Sequence, residues 1–242
     1  MPNPTAAMLA IGDELLSGRT RDANTHHLAR ALADRGIDLK EARVVADDRD
    51  AIVDALEALR AAHAHLFTSG GIGPTHDDIT ADAVAAAFGV RIGVRDDARA
   101  ALAAHYANTG TELNEARLRM ARVPDGSALI ENPISGAPGF SIGNVHVMAG
   151  VPEIFAAMLE GLLPKLAGGA PLVSETLRVD RPEGDIAGPL GEVARAHPGL
   201  SIGSYPFRRD GVLGANLVIR GSDPAEVAAA LATLRSAFAE SP

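Results

Sequence analysis

The chain alternates between short apolar runs and longer stretches whose apolar residues recur every three or four positions. Residues 6–11, 41–46 and 66–68 are short runs typical of buried strands. Residues 23–35 and 52–62 have the apolar spacing of helices. The alternation of strand and helix predicts an α/β fold of three layers, α/β/α, in which a mostly parallel sheet is joined by right-handed crossovers.

The pattern continues with shorter elements beyond residue 78. It predicts a helix that ends at Gly89, a strand at 90–94, helices near 96–107 and 111–122, and short strands at 128–130, 139–142 and 145–148. A Gly-Gly-Ala-Pro stretch at 168–171 then indicates a domain boundary. We expect a larger domain over residues 1–167 and a small α+β sandwich of β-α-β-β-α order over residues 172–242.

The amino-acid composition limits the classes of function that the chain could have. Hydrophobic residues make up 47% of the 242 residues, enough to fill a core, and the formal net charge is −9. The negative charge argues against binding to nucleic acid or to an anionic membrane. The absence of cysteine excludes disulfides and thiolate metal sites. With no long apolar run and no secretory leader pattern, we expect a cytoplasmic protein.

A glycine loop follows the strand at 66–68. The residues that form it are Ser69, Gly70, Gly71, Ile72, Gly73, Pro74 and Thr75. Glycines lack the Cβ atoms that keep a backbone away from an anion, and a helix that begins near Asp78 or Thr80 adds unpaired N–H groups. The loop therefore predicts a phosphate site, although it matches neither a P-loop nor a Rossmann fingerprint. A plain turn with Asp77 or Asp78 as the helix cap is the alternative.

Carboxylates accompany this loop and the other strand ends. Asp77 and Asp78 follow the glycines, Asp13 and Glu14 follow the first strand, and Asp47 follows the second with Asp48 beside it. Carboxylates beside a phosphate cradle need a divalent cation between them and the ligand. We expect the strand ends to meet at one sheet edge and to build a metal-assisted phosphoryl site. The alternatives are a solvated turn for Asp13 and Glu14 and a helix cap for Asp48.

Several segments carry a family resemblance. GGIGPTHDDIT at 70–80 resembles the signature of the MoaB/Mog molybdopterin-binding fold, and its two aspartates resemble the N-terminal domain of competence/damage-inducible protein A (CinA). AIGDELLSGRTRDANTHHLARAL at 10–32, VVADDRDAI at 44–52, NPISGAPGF at 132–140 and GVPEIF at 150–155 match the same family in order. The chain departs from the usual Gly-Thr-Ala-Pro-Gly at 135–139 and from the usual Pro-Gly-Val-Pro at 149–152.

The resemblance implies a set of site residues. Asp78 would be the main catalytic and metal-binding carboxylate, with Asp77 and Asp47 in support and Asp47 as a second metal ligand. The implied nucleotide or pterin contacts are Gly12, Asp13, Glu14, Asn24, Ser69, Gly70, Gly71, Gly73, Pro74, Thr75, Asn132, Pro133, Ser135, Gly136, Pro138, Gly139, Pro152 and Glu153.

The fold family implies two chemistries with a common transition state, attack on a nucleotide phosphoanhydride. The expected activity is a divalent-metal-dependent (Mg²⁺, Mn²⁺ or Co²⁺) nucleotide pyrophosphatase acting on ADP-ribose or a related dinucleotide, with water as nucleophile. A non-catalytic module that binds molybdopterin or a nucleotide, and a molybdopterin adenylyltransferase, are the alternatives. The family also implies a homo-oligomer, trimer or dimer.

The region after residue 171 adds no chemistry of its own. SIGSYPF at 201–207 resembles the segment after the nucleotide domain in CinA-like proteins and in the molybdopterin-binding half of eukaryotic FAD synthase. We find no catalytic constellation there and expect structural support or oligomer contact. The chain ends before the deamidase domain of full-length CinA, so we do not expect nicotinamide-nucleotide deamidation.

Overall fold

A computed structural model describes residues 3–110, 112–209 and 211–239, and the chain divides into two compact units after Gly169. The first unit contains eight strands and seven α-helices among its described residues. The strands are β1 Thr5–Ile11, β2 Asp38–Val45, β3 His65–Ser69, β4 Ile92–Val94, β5 Arg122–Pro124, β6 Ala128–Ile130, β7 Gly139–Ile142 and β8 Val145–Met148. The helices are α1 Asp13–Leu16, α2 Asn24–Ala33, α3 Arg49–Ala62, α4 Thr80–Phe88, α5 Asp96–Thr109, α6 Glu115–Leu118 and α7 Pro152–Leu162.

Six of these strands form one sheet in the order β2-β1-β3-β8-β7-β6. The first four run parallel, while β7 and β6 are antiparallel to their neighbours. The carboxyl ends of the parallel strands lie together, since Ile11 pairs with Val45, Ala10 with Ser69, and Ser69 with Met148. The mostly parallel sheet predicted from the alternation is confirmed.

Helices cover both faces of this sheet, because β1 is apolar on both sides. Ala7, Leu9 and Ile11 face a cluster that contains residues of α3 and α4, while Ala6, Met8 and Ala10 face residues of α2 and α7. All six side chains are almost completely buried. A continuous apolar run that is buried on alternating sides is the expected centre of a three-layer α/β/α fold.

One predicted helix is largely wrong. The stretch expected to be helical over 111–122 contains the four-residue α6, a 3-10 turn at Arg119–Ala121 and strand β5, while Thr111 lies outside the described residues. Strand pairing ends the helical turn here: Val94 pairs with Arg122 and Gly93 with Val123, and Val123 is buried in the core. Tertiary pairing overrides the local helix propensity.

The second unit has the predicted β-α-β-β-α order. Its elements are β9 Val173–Val179, α8 Glu183–Ala196, β10 Ser201–Arg209, β11 Val212–Gly221 and α9 Pro224–Ala239. The antiparallel sheet has the order β10-β11-β9, and Ala215, Leu217 and Ile219 of the middle strand are buried with residues of α8 and α9. No described helix is long and apolar enough to cross a bilayer.

Candidate functional site

A cavity of about 560 Å³ lies at the carboxyl ends of the parallel strands. The loops that follow β1, β2, β3 and β8 all contribute to its wall, as the sheet-edge argument predicted. Its lining residues are Ile11, Gly12, Glu14, Thr20, Asp47, Gly70, Gly71, Ile72, Gly73, Pro74, Asp77, Asp78, Met120, Asn132, Ser135, Ala137, Ala149, Gly150, Val151, Pro152 and Ile154. The structure therefore brings together predicted residues from five separate sequence segments.

The glycine loop turns sharply at its first two glycines. Gly70 and Gly71 have φ angles of +105° and +67°, a backbone region that residues with a Cβ atom rarely adopt. A Cβ atom on Gly70 would lie 2.2 Å from the carbonyl oxygen of Ile11, and one on Gly71 would lie 2.1 Å from Oγ1 of Thr80. Both positions require glycine, because backbone and helix α4 approach the loop closely.

The two aspartates after β2 have different roles. Asp48 caps α3, since its Oδ1 accepts a hydrogen bond of 2.9 Å from the backbone N–H of Ala51. The helix-cap alternative is therefore correct for this residue. Asp47 instead lines the cavity, and its Oδ2 accepts a 3.0 Å hydrogen bond from the backbone N–H of Asp13.

The pKa of Asp47 is raised above its usual value. Partial burial is the largest cause, and the negative charges of Asp13, Glu14 and Asp77 act in the same direction. The hydrogen bond from the Asp13 N–H opposes the rise in pKa. Carboxylates from three loops thus influence each other electrostatically at one edge of the cavity.

Asp78 is held inside its own loop. Its Oδ2 accepts hydrogen bonds from the backbone N–H of Thr75 at 2.8 Å and from the Thr75 hydroxyl at 2.6 Å. The Thr75 side chain is also the largest cause of the lowered pKa of Asp77. Neither aspartate caps α4, whose N-cap is Ile79 without a side-chain hydrogen bond. The predicted alternative of an aspartate cap for α4 is therefore wrong.

Asn24 joins two of the strand-end loops. Its Nδ2 donates to Oγ of Ser69 at 2.6 Å and to the carbonyl of Gly150 at 2.8 Å, and the residue is only 6% exposed. Asn24 and Ser69 line a recess of about 50 Å³ that shares Ile11, Glu14 and Gly150 with the main cavity. Asn24 and Ser69 therefore hold the loops after β3 and β8 together through hydrogen bonds.

The Pro- and Gly-containing segment at residues 132–139 forms another part of the cavity wall. Asn132 organises it: its Nδ2 donates to Oγ of Ser135 at 2.6 Å and to the carbonyl of Ala137 at 2.8 Å, while its Oδ1 accepts from two backbone N–H groups. Asn132, Ser135 and Ala137 line the cavity, so the segment is more than a turn.

Some residues implied by the resemblance do not line the main cavity. They are Asp13, Asn24, Ser69, Thr75, Pro133, Gly136, Pro138, Gly139 and Glu153.

Contacts or exposure account for the positions of most of these residues. The N–H of Asp13 is bonded to Asp47 and both donors of Thr75 to Asp78. Gly136 packs against His105, where a Cβ atom would lie 2.3 Å from the His105 side chain. Gly139 lies in β7 against Val147, and Pro133 and Glu153 are exposed.

The cavity is acidic. Glu14, Asp47, Asp77 and Asp78 line it, and no lysine, arginine or histidine does so among the residues that the structure describes. No group of three or more histidine, aspartate or glutamate side chains is arranged to hold a metal ion within residues 3–110, 112–209 and 211–239. The available donors are carboxylate oxygens, which suit a hard divalent cation.

Sequence reasoning missed the apolar part of the lining. Met120 reaches the cavity from the 3-10 turn Arg119–Ala121 and Ile154 from α7, while the polar Thr20 reaches it from the segment after α1. Arg119, next to Met120, lines a narrow cleft beside the glycine loop. No spacing in the sequence marks Met120 or Arg119, because their position depends on how β5 pairs with β4.

Comparison with known proteins agrees with the two-unit organisation. The family described as probable molybdopterin binding domain matches residues 7–168, and the family described as FAD synthase, middle domain, matches residues 171–241. A protein of Pyrobaculum calidifontis is 34% identical over 84% of this chain and 81% of its own length.

Longer relatives contain a comparable segment. A CinA-like protein of Geobacter metallireducens is 34% identical over 81% of this chain and 50% of its own length, and a probable FAD synthase of Caenorhabditis elegans is 32% identical over 97% and 50%. The chain therefore spans about half the length of these two relatives.

A solved structure has the same fold in the first unit. The crystal structure of CinA from Thermoplasma acidophilum, a protein described as of unknown function, covers 67% of this chain and 97% of its own length with a TM-score of 0.61 and 32% identity. The chain therefore belongs to the family of probable molybdopterin-binding domains, as a CinA-type member.

Proposed function

We propose that the cavity binds a nucleotide through its phosphoanhydride and hydrolyses it with a divalent cation, as a nucleotide pyrophosphatase. The observation that carries this proposal is the pairing of a glycine loop with carboxylates across one cavity. Gly70 and Gly71 hold the backbone in a conformation that only glycine adopts easily, and Asp47, Asp77 and Asp78 line the same space. Phosphoryl transfer requires little more than positioned donors and compensated charge.

The charge of the cavity argues for a cation in the complex. Four carboxylates line it without an opposing side-chain cation among the described residues, so a diphosphate alone would be repelled. Asp47 and Asp78 would hold Mg²⁺, Mn²⁺ or Co²⁺, and their oxygen donors fit such an ion. When bound, the cation would supply positive charge to the phosphoryl oxygens.

The residues of this chain would then orient the phosphates and accept a proton from the attacking water. Backbone N–H groups of the glycine loop would orient the phosphates. One of the carboxylates at the cavity edge would accept the proton of the attacking water. The water oxygen forms the new bond to phosphorus, the anhydride bond breaks, and the departing phosphate keeps the bonding electrons.

The relatives suggest the substrate class. Similarity to a probable FAD synthase and to the FAD synthase middle domain favours a ligand that contains an adenosine diphosphate group. ADP-ribose or a related dinucleotide has this group and a phosphoanhydride between two ribosyl units. The apolar lining residues Ile72, Met120 and Ile154 offer surface for a base or another flat ring.

The test is product formation from ADP-ribose, FAD, NAD and ATP with Mg²⁺, Mn²⁺ or Co²⁺. AMP that appears with wild type and is lost in Asp78→Asn would support the proposal. Equal AMP formation by Asp78→Asn would contradict the role of this carboxylate, and a lack of product from every substrate and metal would contradict hydrolysis.

A second candidate is a module that binds the nucleotide or a molybdopterin without turnover. Two observations favour it: no preassembled group of three metal ligands occurs in the described part of the chain, and both donors of Thr75 hold Asp78 within the loop. This candidate predicts saturable binding by the wild type without AMP formation under the same conditions.

A further inference from the structure

A narrow cleft adjoins the main cavity on the far side of the glycine loop. The two share Gly71, Ile72, Gly73, Asp78 and Met120, and the cleft is otherwise lined by Ala81, Asp82, Arg119, Arg122, Pro138 and Phe140. Its volume of about 20 Å³ accommodates one atom the size of a water oxygen. A ligand in the main cavity could therefore extend a single oxygen into it.

The two arginines of the cleft differ in their partners. Arg122 forms a bidentate ion pair with Asp82, with distances of 2.9 Å and 2.6 Å. The side chain of Arg119 makes no ion pair and no hydrogen bond with any residue that the structure describes, and its Nε is buried without a partner. A buried N–H donor is costly to leave unpaired, so the Nε of Arg119 favours an acceptor, and the positive charge of the side chain favours an anionic one.

The backbone fixes Arg119 beside the loop. It begins the 3-10 turn Arg119–Ala121, which leads directly into β5. Ala121 is fully buried, and its carbonyl accepts a 3.0 Å hydrogen bond from the N–H of Arg95. The side chain thus leaves from an anchored segment between two packed elements.

We propose that Arg119 is a phosphate-binding residue that completes the site by donating to a phosphoryl oxygen in this cleft. This inference rests on the proposed nucleotide site and specifies its ligand. One phosphoryl group occupies the main cavity against the glycine backbone, and the next presents an oxygen to Arg119. The site therefore selects a diphosphate ester over a monophosphate, since only a diphosphate spans both positions.

Calorimetric titration of the full chain with ADP and with AMP, each with Mn²⁺, tests this inference. Arg119→Gln should weaken ADP binding by about tenfold or more, because it removes hydrogen bonds to a charged group, and should change AMP binding much less. Arg119→Lys should restore part of the ADP affinity, since it restores the charge without the planar fork.

Arg117→Gln is the matched control. Arg117 lies two residues away, donates to the carbonyl of Glu112 and packs over the ring of Tyr106, outside both linings. The Arg117→Gln variant should bind ADP with the affinity of the wild type. ADP affinity unchanged in both Arg119 variants, or reduced equally for ADP and AMP, would overturn the inference. If Arg119→Gln does not fold, as judged by thermal unfolding, the ratio of ADP to AMP affinity in Arg119→Lys decides.

The pyrophosphatase proposal and the phosphate-binding role of Arg119 can be contradicted independently of each other. Binding of ADP that depends on Arg119 without any AMP formation would support this inference and contradict hydrolysis. Hydrolysis of ADP-ribose that is unaffected by both Arg119 variants would support the pyrophosphatase and overturn the phosphate-binding role of Arg119.

Discussion

The carboxylate of Asp47 accepts a 3.0 Å hydrogen bond from the backbone N–H of Asp13. This bond joins the loop after β2 to the beginning of α1, which follows β1. It turns the Asp47 side chain into the cavity, whereas the neighbouring Asp48 turns away to cap α3. Two adjacent aspartates with the same charge therefore have separable roles.

We predict that Asp47→Asn abolishes metal-stimulated nucleotide binding while Asp48→Asn leaves it intact. Asparagine keeps an oxygen for the Asp13 N–H at position 47 and for the Ala51 N–H at position 48, so both variants should fold. Each loses one negative charge, but only Asp47 faces the ligand space. The measurement is Mn²⁺-dependent ADP-ribose binding by calorimetry. Equal losses in both variants would show that general charge, rather than position, matters.

Gly71→Ala should destabilise the fold more than Gly18→Ala. The two glycines have similar φ angles, +67° and +72°, so both substitutions incur a similar backbone strain of about 1–2 kcal/mol. At Gly71 the added Cβ also meets Oγ1 of Thr80 at 2.1 Å, whereas nothing lies within 4 Å at Gly18. We expect an additional loss of about 1–3 kcal/mol at Gly71, measured by urea unfolding. Equal losses would mean that α4 moves away freely.

Asn24→Ala should lower the free energy of unfolding by about 1–3 kcal/mol, because it leaves the Gly150 carbonyl and the Ser69 hydroxyl without their donor. Asn24→Asp should be at least as harmful, since a carboxylate cannot donate to a carbonyl. The control His26→Ala changes an exposed residue of the same helix and should stay within about 0.5 kcal/mol of wild type. Denaturant midpoints for the three variants provide the comparison, and a mild effect of Asn24→Asp would contradict the donor assignment.

His146 makes stability depend on pH. It lies in β8 with its Nδ1 2.9 Å from Oγ of Ser141 and its Nε2 3.3 Å from Nδ1 of His65. Burial, followed by the charge of His65, lowers the pKa of His146 from 6.5 to about 4. The folded state therefore keeps the His146 ring neutral. The contribution of the neutral ring to the free energy of unfolding is fully present above pH 6.5.

As the pH falls from 6.5 towards 4, the unfolded chain takes up the proton first, so stability should decrease by up to about 3 kcal/mol. His146→Asn should remove this part of the pH dependence. His76→Ala, which changes a side chain that is 99% exposed, should retain it. Unfolding by urea at pH 7, 5.5 and 4 measures the effect, and identical pH profiles for wild type and His146→Asn would contradict it.

The strongly patterned elements were predictable from sequence because local and tertiary preferences agree there. β1, β3 and β8 are short, mainly apolar runs that are buried on both faces. The starts of α3 and α7 are marked in the sequence by the N-cap Asp48 and by Pro152 at the first helical position. The strand-end loops follow from this topology. The convergence of Gly70 and Asp47 on one cavity could thus be expected before the structure, whereas the position of Asn132 was implied only by the family resemblance.

The sequence was less informative where a residue has two possible partners. Thr75 was expected to hold phosphate, but its N–H and hydroxyl are already used by Asp78 three residues later. Arg119 was missed because its segment was expected to be a regular helix, and only the pairing of β5 with β4 brings it beside the glycine loop. In both cases three-dimensional contacts decide the role.

The most direct test of the central claim is calorimetric titration of the wild-type chain with ADP-ribose, once with Mn²⁺ and once with excess EDTA. The cavity presents four carboxylates to the ligand, so we predict saturable binding with Mn²⁺ and an affinity that is weaker by about tenfold or more with EDTA. Equal affinity in both conditions, or no binding in either, would contradict a metal-dependent nucleotide site at this cavity.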